Sequence, residues 1–164
     1  MHVVDVVGIR LDDAGNAPML LLKERTGQQR TLEIWIGAVE AGAIAFAEQG
    51  ITPSRPLTHD LTLNLLAASQ VSVTEVRITS LVENIFIAEI VLSNGEVVSA
   101  RPSDAVAIAI RASVEILVSP DVLDEAGRVI VEENVEQVSS EEADLEAFRS
   151  FLDNLNPEDF EKDA

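Results

Sequence analysis

Residues 104–111 read DAVAIAIR and residues 40–47 read EAGAIAFA. Aligned without a gap, the octets share three alanines and one isoleucine in register, and each opens on an acid. Alanine-rich segments of this kind favour helix. The first, extended to Ala38–Glu48, runs out at Gly50 with Pro53 just beyond, the pattern of a helix stop. Upstream of each octet the apolar residues alternate instead. Val3–Leu11, Pro18–Glu24 and Arg30–Ile36 read as three strands, divided by the turn formers Asp12, Asp13, Gly15 and Asn16 and by Thr26–Gln28. Thr74–Val82, Ile85–Ser93 and Val97–Arg101 read as three more, with Asn94-Gly95 as a hairpin turn, before a second helix over Ser103–Ala112. The spacing therefore predicts an α+β fold: two duplicated β-β-β-α units with antiparallel strands, fused into one compact domain.

Between the units, the loop ITPSRP (51–56) leads into a helix from His59 to about Ser69, with Thr58 as its cap and Leu61, Leu65, Leu66 and Ala68 as its inward stripe. Glu115–Ser119 reads as a closing strand and Asp121–Ala126 as a helical turn, which ends a domain assigned to residues 1–130. Residues 131–164 form an acidic tail. There Ser139 and Glu142 make a capping-box pattern ahead of an amphipathic helix at about 140–155, on which Leu145, Phe148, Leu152 and Leu155 recur at helical spacing. Asn156-Pro157 opens one further turn. Such a stripe needs a surface, whether its own domain, a dimer mate or a partner protein.

Composition narrows the chemistry. A chain of 164 residues suits one domain, burying roughly 70% of the surface its unfolded form exposes. There is no cysteine, which excludes disulfides, thiolate zinc sites, iron–sulfur clusters and cysteine nucleophiles. Although 47% of the residues are apolar, no uncharged run approaches the ~20 residues of a membrane span, and the first residues lack a basic segment and apolar signal core. A soluble, cytoplasmic protein is expected. Eleven basic against 29 acidic side chains give a net charge of −18, of which residues 1–113 hold −5 and residues 114–164 hold −13. Aromatic residues, at 4%, are too few for a base-stacking groove.

Functional side chains concentrate in SRPLTHD (54–60) and in RPSD (101–104). In each, an arginine precedes a helix start, where free backbone N–H groups and the helix dipole favour an anion. Arg55 and Arg101 thereby suggest a phosphate clamp. A structural reading covers the same residues: Asp60 and Asp104 complement helix dipoles, Pro102 and Ser103 start a helix, and Arg101 pairs with Glu40 or Asp104. His59 and Asp60 point about 100° apart on a helix, so one of them works with a residue from elsewhere, for which Glu40 is the candidate. Were Glu40, Asp60 and Asp104 to converge, a magnesium or manganese ion would relieve their repulsion, and His59 would act as general acid or base. Phosphate-loop, GxGxxG, HExxH and GxSxG motifs are missing from the sequence.

Taken together, GAVEAGAIAFA, TPSRPLTHDL, FIAEIVL, SARPSDAVAIAIRA and EILVS resemble the bifunctional nuclease domain family over roughly residues 1–130. The resemblance implies DNase and RNase activity, a duplicated α+β fold and a homodimer. It also implies a functional surface made of Glu40, Arg55, His59, Asp60, Arg101, Ser103 and Asp104. The leading expectation is metal-assisted hydrolysis of DNA or RNA: Arg55, Arg101 and Ser103 hold substrate, Glu40, Asp60 and Asp104 hold metal, and His59 moves a proton. The rival is a non-catalytic binding or regulatory module that uses the same cleft and a partner-docking tail helix.

Overall fold

The computed structural model describes residues 1–12, 17–51 and 53–129. The tail calculated from sequence to hold a helix at about 140–155, with its cap and final turn, lies outside the described residues. In chain order the elements are β1 (His2–Leu11), β2 (Pro18–Glu24), β3 (Thr31–Trp35), α1 (Ala38–Glu48), α2 (Thr58–Ala68), β4 (Val73–Val82), β5 (Ile85–Leu92), β6 (Val97–Ala100), α3 (Pro102–Ala112), β7 (Glu115–Val118) and α4 (Pro120–Ala126). The strands form one sheet in the order β3-β2-β1-β7-β4-β5-β6. The expected all-antiparallel arrangement needs one correction, because β7 runs parallel to β4 while every other neighbouring pair is antiparallel. The reason lies in α3. It carries the chain back from edge strand β6, and a helical crossover of this kind delivers the next strand in the same direction as the one before. That strand fills the place between the two three-stranded meanders.

Cross-strand register shows which side of the sheet is the core. Leu32 pairs with Leu22, and a line of partners runs Val4, Ile116, Val76, Ile90 across the centre, all four buried and on one face. The intervening residues carry ion pairs, Arg10–Glu33 at 3.0 Å and Arg25–Asp5 at 2.7 Å, which contribute little individually but keep that face wet. Against the apolar face lies α3, whose residues Ala105–Ala109 are all buried. Its small side chains allow α1 to approach closely, and α1 contributes Ala41, Ile44 and Ala45 to the interior. On α4, Val122 and Leu123 are buried, and the Ser119 hydroxyl caps the helix at the Val122 N–H. The α4 end is also pinned by charge: Arg30 binds Glu24 at 2.9 Å and Asp124 at 2.6 Å, and His2 Nδ1 lies 3.0 Å from the same Glu24.

α2 departs from expectation in two ways. Leu57, not Thr58, is its N-cap; Thr58 is the first helical residue, and the Asp60 carboxylate accepts the Leu57 N–H at 3.0 Å. The inward stripe keeps Leu66 as expected, but Leu63 takes the place of Leu61, Leu65 and the exposed Ala68. Leu63 and Leu66 pack on the core, whereas Leu61 and Leu65 are 50% and 62% exposed. No residue of α2 is fully buried. The helix is turned by its polar residues, since His59 and Asp60 both find partners on α3, and that fixes which leucines face in. Among the described residues no helix is long and apolar enough to cross a membrane.

Candidate active site

The three helices α1, α2 and α3 each carry an acid at their third position, Glu40, Asp60 and Asp104. A carboxylate there lies against the helix's own unpaired N–H groups and positive dipole end, which explains the recurrence locally. Packing then gives the three different partners. Arg101, the N-cap of α3, sends Nε to Asp104 Oδ2 at 2.7 Å and Nη1 to Glu40 Oε1 at 2.8 Å. Asp104 Oδ1 in turn lies 3.2 Å from His59 Nε2. One chain of contacts, Glu40–Arg101–Asp104–His59, thus joins α1, α3 and α2. Both pairings foreseen for Arg101 are made at once.

Asp60 belongs elsewhere. Its Oδ1 accepts Arg111 Nε at 2.8 Å, while Arg111 also donates to the carbonyl oxygens of Ala107 and Ala43 at 2.9 and 3.0 Å. Arg111 therefore staples α1, α2 and α3 together, and Asp60 is its counter-ion. The neighbours His59 and Asp60 border separate hollows, of about 590 Å³ and 350 Å³ respectively. Neither His59 nor Asp60 takes the expected partner Glu40: His59 pairs with Asp104 and Asp60 with Arg111. Arg111 was missed. The available sign was its position as the only charged side chain in the last turn of the DAVAIAIR helix. Gly37 was missed too: the Glu40 carboxylate folds over it so closely that a Cβ there would collide with Oε2.

The electrostatics of the dyad follow from these contacts. Burial acts to raise the Asp104 carboxyl, but hydrogen bonds from Arg101 and His59 outweigh it and hold the group below the ordinary carboxylate range. The Asp104 contact in turn raises the Arg101 guanidinium. An ionised carboxylate only accepts hydrogen bonds, so His59 Nε2 carries its hydrogen and the lone pair of the neutral ring sits on Nδ1. The His59 side chain is mostly buried and lines the larger hollow with Val39, Phe46, Pro56 and Leu57. Arg55 lies one residue before Pro56, is exposed, and makes no ion pair among the described residues. Arg101 is 66% exposed at its side chain. Ser103 is buried inside the start of α3, which withdraws its hydroxyl from the surface.

The expected metal triad does not assemble among the described residues, where no three His, Asp or Glu side chains are grouped as ligands. Arg101 already supplies the positive charge between Glu40 and Asp104, and Asp60 is turned to Arg111. This donor set does not fit a magnesium or manganese ion. The arrangement can instead orient an imidazole, stabilise its protonated form through Asp104, and offer an exposed guanidinium edge to an anion.

A family model described as bifunctional nuclease domain matches residues 20–131 of the chain. Two curated relatives, uncharacterized proteins of Mycobacterium tuberculosis strains H37Rv and CDC 1551, are each 48% identical over 162 residues, covering 98% of both chains.

Proposed function

This chain belongs to the bifunctional nuclease domain family, and from that membership and the contacts around His59 we propose that it hydrolyses phosphodiester bonds in DNA or RNA with little base preference. The single observation that supports this reading is the dyad: His59 held by Asp104 at 3.2 Å, beside the exposed guanidinium of Arg101. In the proposed step Arg101 and Arg55 position a phosphate. His59 Nδ1 takes a proton from the attacking water as its oxygen bonds to phosphorus. Asp104 stabilises the imidazolium, and the P–O bond to the leaving oxygen breaks, that oxygen receiving a proton from His59 or solvent. Glu40 sets the position of Arg101, and Asp60 the position of α2. Ser103 contributes through the helix start it helps to form. The duplicated β-β-β-α units belong to the same reading, one supplying Glu40 and the other Arg101 and Asp104, as does a homodimer.

His59→Ala and Asp104→Asn, in folded protein, are expected to lower cleavage of a DNA or RNA strand by about 10²–10⁴-fold, the usual contribution of a general acid–base group. Unchanged cleavage by both variants would place the activity outside this dyad. The same assay with chelator, then with magnesium or manganese restored, tests the metal requirement expected from the sequence. Persistence of cleavage under chelation would leave Arg101 as the cation at the site.

One observation favours the rival reading of a binding or regulatory module: Arg101 is neutralised by two carboxylates, so the site is not a strongly positive pit. Under that reading wild-type protein binds a phosphate-bearing ligand with the same Arg101 dependence, but rigorously purified samples cleave nothing.

A further inference from the structure

The groove beside His59 is apolar and open. Val39, Gly42 and Phe46 line it from α1, and Pro56, Leu57 and His59 from the α2 entry. Leu57, Leu61 and Leu65 continue the apolar surface along α2 at steps of four, all three exposed. A continuous apolar surface of this sort marks an interaction site. We propose that the chain's own acidic tail, residues 140–155, docks here, laying Leu145, Phe148, Leu152 and Leu155 into the groove and covering His59.

Three considerations select this occupant. The first is shape: a stripe recurring every three to four residues is the complement of a groove between two helices. The second is reach. The described chain ends at Val129, where Arg128 and Thr31 exchange backbone hydrogen bonds of 2.7 and 2.9 Å. The sixteen residues from there to Leu145 span up to about 50 Å when extended, several times the ~14 Å radius of gyration of such a domain. A tether of that length holds the tail at roughly millimolar effective concentration, well above that of a second copy in dilute solution. The third is charge. Residues 130–164 contain twelve acidic and two basic side chains, with Glu141, Glu142, Asp144 and Glu146 clustered around Leu145. Next to Pro56 at the groove's edge, Arg55 is exposed and makes no ion pair among the described residues.

The docking stands on surface and charge alone. Its consequence, that the tail shields the site from nucleic acid, rests on the proposed function. Because the chain lacks cysteine, an introduced pair is unique. In the full chain, oxidised Phe46→Cys/Leu152→Cys is expected to close a disulfide within one molecule, at least about tenfold above a Val82→Cys/Leu152→Cys control, since a docked tail dwells at one surface. A yield no higher than the control overturns the proposal. So do disulfides formed only between chains, and so does a Phe46→Cys single variant that cross-links to itself, which would give the groove to a second copy.

Should the cysteine at position 46 disturb packing, labelling of a Val39→Cys thiol provides the second measurement. Phe148→Asp/Leu152→Asp should speed that labelling about tenfold by releasing the tail, and an unchanged rate overturns docking. The same tail variant should also raise cleavage. Faster labelling without any cleavage would fault the nuclease reading and leave the docking intact.

Discussion

At the scale of single residues, the site is organised by who pairs with Arg101. Its two carboxylate partners arrive from different helices, and Glu40 reaches it only because Gly37 has no side chain in the way. Gly37→Ala is therefore expected to push the Glu40 carboxylate off the guanidinium with a stability change within about 1 kcal/mol, as for an ordinary cap substitution. One half-freed positive charge should then steepen the salt dependence of nucleic-acid binding, by up to about one counterion. Titration of binding against salt, with wild type alongside, measures this, and identical slopes would mean that Glu40 does not restrain Arg101. The residue types of this cluster were legible in SRPLTHD and RPSD. So were both carboxylate partners of Arg101; the partners of His59 and Asp60 were not, because Asp60 and Asp104 occupy equivalent helix positions and only the neighbouring helix gives one an arginine staple and the other a histidine.

At the scale of elements, strand and helix positions follow from local pattern almost throughout: α1 spans Ala38–Glu48 and β2 spans Pro18–Glu24, the ranges that periodicity and turn residues suggest. The rotation of α2 does not follow. An amphipathic count over Leu61, Leu65 and Leu66 weighs apolar residues alone, while the helix is oriented by two polar contacts to α3. Leu63→Ala and Leu66→Ala should each destabilise the protein, by on the order of 1–3 kcal/mol given their partial burial. Leu61→Lys and Leu65→Lys should alter the stability of the described fold by less than about 0.5 kcal/mol, as surface substitutions do. Urea unfolding of the four variants decides the matter. Equal losses in both pairs would restore the stripe read from the sequence.

At the scale of the whole molecule, two acids tie stability to pH. Hydrogen bonds from Arg30 hold the Glu24 carboxyl below its ordinary range in spite of burial, and Asp104 is likewise depressed. Both groups take up protons near pH 4 in the unfolded chain but only at lower pH in the folded one. Through that window the unfolded state binds more protons, so stability falls as pH falls, while above about pH 5 the contribution is complete. Glu24→Gln should melt lower than wild type at pH 7, and the gap should narrow on acidification towards pH 3. A gap that is constant with pH would dissociate Glu24 from the acid limb. Local sequence was enough to establish an α+β chain with alternating strands, two alanine-rich helices and two arginine-led helix starts, because turn chemistry and periodicity act over a few residues. Assembly alone decided that β7 enters parallel to β4, that α2 turns Leu61 and Leu65 outward and Leu63 inward, and that His59 meets Asp104 while Asp60 meets Arg111. Those outcomes depend on contacts between segments tens of residues apart, whose geometry is set by how the helices pack on the shared apolar face.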